Sequence, residues 1–378
     1  MMIINLFFAF YMAVDEYGLF SFYDYIALFC FSVSNLGLSS VLTKELQTRN
    51  SELVARTFVA LKYPALILLA LVGHLYLFLL DGFSLLLVLN FTFTMLISSV
   101  WEWYFIGRGK TKKLSAYYLC SFVTTALLVY LWIAVYGGIT AVGVRTIQII
   151  TTGICLFTFG SWIIRDVING RYSPTFSKNC LSQGLNMLAV QITQNGALII
   201  LSHHVRTSYG LSAVGTFSLY MRIANVFLTL RNVLVSPLTI LLVKAGPAFY
   251  LRLTRVTNLL LVPLSVLVIM ALYFSQSIIH AFPGESEYIS SSLSILLVPV
   301  VAILFCADGV VLNIWRKQSV YFRTVLISFI VFILTLAVSS GYKFAVLSYV
   351  AFEISYLLAN HLYIRNNFNR FEWCRSES

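Results

Sequence analysis

The sequence predicts an all-α polytopic membrane protein of about twelve transmembrane helices, six before and six after a central linker, and three observations predict it. Composition is the first: 60% of the 378 residues are hydrophobic and only 10% are charged, where a soluble domain carries roughly 45–50% apolar and about 25% charged residues. That leaves too little polar side chain to cover a water-facing surface, and the mean hydropathy of +0.88 agrees. Second, apolar runs long enough to cross about 30 Å of hydrocarbon at about 1.5 Å per residue recur along the whole chain between short polar breaks. Third, Lys and Arg are dense in every other break and sparse between, the pattern expected when cytoplasmic loops keep the basic residues.

The runs place spans at 20–42, 57–80, 83–106, 114–136, 138–164, 179–202, 211–243, 256–280, 288–313, 320–340 and 343–364. Residues 1–14 (MMIINLFFAFYMAV) are apolar but short of a full crossing, and read as the remaining part of a first helix. Nineteen Lys and Arg fall in one set of alternate breaks, Arg108, Lys110, Lys112 and Lys113 among them, while only Arg206 and Lys343 fall in the other. This split predicts both termini in the cytoplasm and an even number of crossings. The longest inner connection carries the Asn-Gly and Ser-Pro turn signals of a linker between two bundles. It divides the chain into an N-terminal six-helix lobe (1–165), a cytoplasmic linker (166–178) and a C-terminal six-helix lobe with a cytoplasmic tail (179–378).

Several function classes are excluded at this stage. The net charge of +11 is topological, and with no basic groove-reading face no nucleic-acid partner is expected. Six cysteines lack CxxC or Cys/His ligand spacing and read as small packing residues. Gly107-Arg108-Gly109-Lys110-Thr111 lacks the four-residue gap of a P-loop and follows no strand. Adjacent His203 and His204 diverge by about 100° on a helix and have no third ligand nearby, so neither a metal nor a cofactor is expected. The N-terminus has no basic n-region or small-residue cleavage site, so no removable signal peptide is expected. No Ser/His/Asp or Cys/His constellation is present. The short outer links disfavour a membrane polysaccharide polymerase or glycosyltransferase, which needs a larger external loop or domain, without removing it as a lesser alternative.

Ionisable groups inside the spans carry the functional signal, because each costs about 2.5–3.5 kcal/mol at the membrane centre. The basic ones are Lys62, Arg145, Arg222 and Arg231; the acidic ones are Asp24, Glu102, Asp308 and Glu353. Lys62 lies near enough to its helix end to snorkel, and Glu102 can reach the headgroups. On the span 211–243, Ser218, Arg222, Asn225, Thr229, Asn232 and Ser236 fall within an arc of about 80°. Such a stripe either lines a water-filled cavity or packs against another helix around a buried ion pair. The preceding span repeats it more weakly with Gln183, Asn186, Thr193 and Gln194, whose groups bond either sugar hydroxyls or neighbouring helices. With Arg145, these residues outline a cationic central vestibule rich in hydrogen-bond donors. Asp24, Asp308 and Glu353 are candidates for ion coupling or for pairing with the buried cations.

Four motifs carry a family resemblance: Glu16-Tyr17-Gly18; Asn35-Leu36-Gly37-Leu38 followed by Lys44-Glu45-Leu46; Trp101-Glu102-Trp103-Tyr104-Phe105-Ile106-Gly107; and Val214-Gly215-Thr216-Phe217-Ser218 leading into Arg222-Ile223. In this order the chain resembles the Wzx-type O-antigen and polysaccharide flippases, in the superfamily that includes multidrug and toxin extruders. The resemblance implies two pseudo-symmetric lobes around a central cavity that opens alternately to each side of a bacterial inner membrane. It implies an undecaprenyl-pyrophosphate-linked oligosaccharide as substrate, a place in O-antigen or lipopolysaccharide synthesis, and a polysaccharide polymerase and chain-length proteins as partners alongside membrane lipids. The family often carries Asp where this chain has Asn35, which weakens the case for ion coupling there. The alternative is a cation-coupled drug or small-molecule exporter of the same superfamily. It calls for a carboxylate in a lobe cavity, whereas the most central charge here is Arg222.

Overall fold

A computed structural model describes residues 8–9, 11–48, 50–274, 286–305, 308, 311–312 and 318–367, the side chains of 229–248, most of those of 253–274 and some others excepted. Every regular element among them is helical. In order these are α1 (Val14–Ser34), α2 (Leu38–Thr48), α3 (Ser51–Asp81), α4 (Leu85–Ile97), α5 (Glu102–Gly107), α6 (Thr111–Tyr136), α7 (Ala141–Phe159), α8 (Ser161–Asn169) and α9 (Pro174–Phe274). There follow α10 (Ser286–Ser292), a 3-10 turn (Leu293–Leu296), α11 (Leu297–Leu304), α12 (Gln318–Ala337) and α13 (Tyr342–Asn367). Eight stretches of the described residues are long and apolar enough to cross a membrane.

Short polar caps explain where several helices start. The side chains of Asn50, Ser84 and Thr140 accept from the backbone N–H of Glu52, Leu87 and Gly143, taking up donors that the first turn leaves unpaired. Packing is then inverted relative to a soluble protein. On α3, Leu68, Leu71, Val72, Leu75 and Leu79 form an exposed apolar stripe at helical spacing, while Lys62 and His74 of the same helix are buried. A stripe of this kind is stable against lipid, not water.

The structure corrects several span boundaries. The run expected at 20–42 is two helices, because Leu36 (φ 52) and Gly37 (φ 66) turn the backbone left-handed between α1 and α2. The expected 83–106 breaks between α4 and α5, and 138–164 breaks at Gly160 between α7 and α8. The expected link at 203–210 is helical up to Gly210, whose φ of 87 divides an otherwise unbroken helical course. A straight α9 of 101 residues would measure about 150 Å. Hydropathy averages over about a helix length, so it does not register a single left-handed residue.

The chain forms two compact units, one comprising Leu19–Ile199 and the other Ala13–Gly18 with Ile200–Ser378. Within each, motif glycines mark close backbone approaches. In the first, a Cβ on Gly184 would stand 2.6 Å from the Leu36 carbonyl oxygen, one on Gly37 would meet the Gly184 carbonyl, and one on Gly107 would stand 2.7 Å from Leu46 Cδ1. In the second, Gly18 abuts the Leu211 carbonyl and Gly215 the Val14 carbonyl. Small residues let membrane helices approach this closely, so dispersion replaces the hydrophobic effect that lipid cannot supply.

Candidate functional site

Each unit encloses a polar network, and the first is built on α1, α3, α4 and α7. Arg145, fully buried on α7, donates through Nη1 to Asp24 Oδ1 at 3.1 Å and to Gln148 Oε1 at 2.8 Å. Its guanidinium lies 4.9 Å from the Phe20 ring centroid and 4.3 Å from that of Phe93. Aromatic faces attract a desolvated cation, so the rings and the carboxylate together offset part of the cost of removing Arg145 from water. Beside it, His74 Nδ1 sits 2.7 Å from the Ala70 carbonyl oxygen, which can only accept. Nδ1 therefore carries the proton, and Nε2 accepts from Asn90 Nδ2 at 3.1 Å, an amide that also donates to the Tyr23 carbonyl at 3.2 Å. This pattern assigns the neutral Nδ1–H tautomer.

The second unit holds two clusters. Arg222 is 7% exposed, and its guanidinium lies 5.8 Å from the Tyr17 ring centroid. Tyr17 and Gly18 come from one resemblance motif and Gly215 from another, so the close approach of those glycines also brings the ring to Arg222. Farther along, the buried Asp308 accepts from the Tyr250 hydroxyl and from His361 Nδ1 at 2.9 Å, with Phe305 against the imidazole at 4.7 Å between centroids. Glu353 accepts from the Tyr356 hydroxyl at 2.8 Å.

The expected site residues distribute as follows. Arg145 and Asp24 come together in the first unit, which also carries Gln183, Asn186 and Gln194; of these Gln183 is exposed and the other two are half-buried. Arg222, Asn225, Asp308 and Glu353 belong to the second unit. The side chains of Thr229, Asn232, Ser236 and Arg231 lie outside the described residues. On the amide-bearing span an interhelical bond is made off the predicted stripe, by Asn195, whose Nδ2 donates to Ser32 Oγ at 3.2 Å. Lys62 does not snorkel: its side chain is 0% exposed and its Nζ lies 5.0 Å from the Phe58 ring centroid and 5.3 Å from that of Phe31. Its ammonium packs instead on one ring from α1 and one from α3. Sequence reasoning passed over His74, Asn90, Gln148, Tyr250 and His361, for each is a lone polar residue whose partner lies on another helix or carries no local motif. Cys30, Cys155 and Cys180 are buried thiols outside any disulfide.

No family model and no curated protein matches the chain. Solved structures do. An inward-facing multidrug resistance MATE family transporter of the MOP superfamily matches with a TM-score of 0.66 at 14% identity, covering 99% of this chain and 94% of the other. A mutant of the Vibrio cholerae MATE transporter VcmN matches at 0.62 and 13% identity, over 98% and 93% of the two chains. A eukaryotic MATE transporter matches at 0.58 and 12%, over 97% and 88%. The chain thus has the all-α, two-lobed fold of the MATE transporters, and identities this low establish the fold alone.

Proposed function

We propose that the protein is a membrane transporter that works by alternating access and exports a small organic molecule, driven by a cation gradient. The observation that carries this reading is the fold, matched from end to end to MATE transporters. The buried carboxylate of the second unit, Asp308, supports cation coupling. Intramembrane acids are costly and mark ion pathways by default.

A second reading, translocation of an undecaprenyl-pyrophosphate-linked oligosaccharide, is supported by Arg222. Its planar fork can grip two phosphate oxygens, and an anionic lipid calls for a buried cation where a cationic drug calls for a carboxylate. One pair of assays separates the readings. In cells stripped of endogenous exporters, the drug-export reading expects the protein to lower accumulation of a fluorescent organic cation and Asp308→Asn to abolish the effect. The flippase reading expects it instead to restore surface glycan in a flippase-deficient strain, with Arg222→Gln inactive at normal abundance. Unchanged dye accumulation with restored glycan overturns the first reading; the reverse overturns the second.

A further inference from the structure

In the first unit a cavity of about 450 Å³ lies among α3, α8 and the breaks that follow α4 and α7, within the size range of ligand pockets. Val59 and Tyr63 of α3 form one wall and Leu156 of α7 another. Ile164 and Ile168 of α8 line it while remaining 59% and 72% exposed, so they stand at its mouth. The polar side chains that line it have no proton to give a ligand. Ser99 Oγ donates to the Met95 carbonyl at 3.1 Å and accepts from the Tyr63 hydroxyl at 3.0 Å, so both protons are used within the protein. Trp101 presents ring carbon, its Nε1 being covered. Such a cavity takes hydrocarbon more readily than a polar solute, and exposed isoleucines at the mouth of a membrane protein's cavity meet lipid.

Positive charge collects at one end of this cavity. Arg56 precedes Tyr63 by seven residues, which places it within about 20° of Tyr63 around α3 and about 10 Å nearer the helix start. A Cβ on Gly170 would stand 2.7 Å from Arg56 Cβ, so the end of α8, with Arg171 just after it, reaches the same place. Arg165 lies on α8 next to Ile164. All three arginines are exposed. Of the acids at this end, Glu52 lies one turn before Arg56, and Asp166 accepts from Tyr104 and faces Arg108, so the cations are in excess. An apolar slot with arginines at its rim complements an anionic amphiphile in both halves.

We infer that this cavity is a fixed lipid site, which holds one acyl chain of an anionic phospholipid and sets the phosphate against Arg56, Arg165 and Arg171. The inference does not depend on what the protein transports. The cavity's volume and apolar walls select the chain; the arginines select the headgroup's sign.

The test uses the full chain purified in detergent, titrated with phosphatidylglycerol or with phosphatidylcholine of the same chains and read by native mass spectrometry and Tm. Wild type is expected to retain one phosphatidylglycerol saturably, with a matching rise in Tm, as binding to the folded state requires. Its preference over phosphatidylcholine should be about fivefold for each arginine engaged. Leu156→Trp, which fills the cavity, is expected to lose the retained lipid. Leu79→Trp, at a 74% exposed position farther along α3, is expected to keep it. Arg56→Gln combined with Arg165→Gln should still take a chain but lose most of the preference for phosphatidylglycerol. The inference is overturned if wild type retains neither lipid or both equally, if folded Leu156→Trp retains lipid as wild type does, or if a second copy of the chain covers the cavity in a lipid-free dimer. Where a variant fails to fold, phosphatidylglycerol brominated on its acyl chain decides the matter on wild type alone: an anomalous-scattering peak between Tyr63 and Ile164 is expected, and its absence overturns the site.

Discussion

Replacing Asp24 by Asn tests the pairing of Arg145 most directly. The substitution keeps shape but removes the charge 3.1 Å from Nη1, leaving a guanidinium that is 0% exposed with an amide and two aromatic rings in place of a counter-ion. Removing one partner of a buried pair costs about 3–5 kcal/mol, or roughly two to four orders of magnitude in the folded-to-unfolded ratio. The two single variants should differ in severity. A stranded carboxylate can be neutralised by a proton, but a stranded guanidinium cannot lose one, so Asp24→Asn should be more damaging than Arg145→Met. The double variant removes both charges and should recover much of the loss. The assay is protein abundance in the membrane together with thermal stability of the detergent-solubilised chain, combined as a double-mutant cycle. If Asp24→Asn were as abundant and heat-resistant as wild type, or if the double variant fell by the sum of the singles, the pair would not hold Arg145 in the folded state.

Further outcomes follow from other contacts. Gly37→Ala should sharply lower abundance, because a Cβ there both adopts φ 66 and meets the Gly184 carbonyl. Gly137→Ala, at φ 73 with open space around it, should cost only about 1–2 kcal/mol; equal effects from the two would refute the close approach. Tyr104→Phe removes the hydroxyl that donates to Asp166 and should cost about 1.5–3 kcal/mol, as for a bond to a charged group, with Arg108 still 3.9 Å away; unchanged heat stability would contradict it. A cysteine at Lys112 should be shielded from a membrane-impermeant thiol reagent in intact cells while one at Asp81 labels, and the reverse pattern would overturn the orientation drawn from the basic residues.

How much of this was legible beforehand depends on the kind of physics involved. That the chain is built of apolar helical runs with Arg145 and Arg222 inside them follows from composition and helical spacing, since hydrocarbon penalises any exposed polar group and so writes its demand into every run. Partners were not legible. Asp24 and Arg145 lie 121 positions apart, Tyr17 meets Arg222 across most of the chain, and Asp308 is joined to His361 and Tyr250 from two other helices. None of these contacts has a local signature.

The motif glycines show the same division. Gly18, Gly37, Gly107 and Gly215 were visible as positions in motifs, but only the folded chain gives each a carbonyl or side chain lying where a Cβ would go. Lys62 makes the point most sharply. Its place eleven residues into α3 leaves both snorkelling and burial open, because helical spacing says how deep a residue sits and nothing about what stands beside it. The sequence therefore determined that this chain is helical, membrane-embedded and charged at a few interior positions. Which of those charges are answered, and by what, was decided by tertiary packing: pairing depends on distances between helices, which no local periodicity encodes.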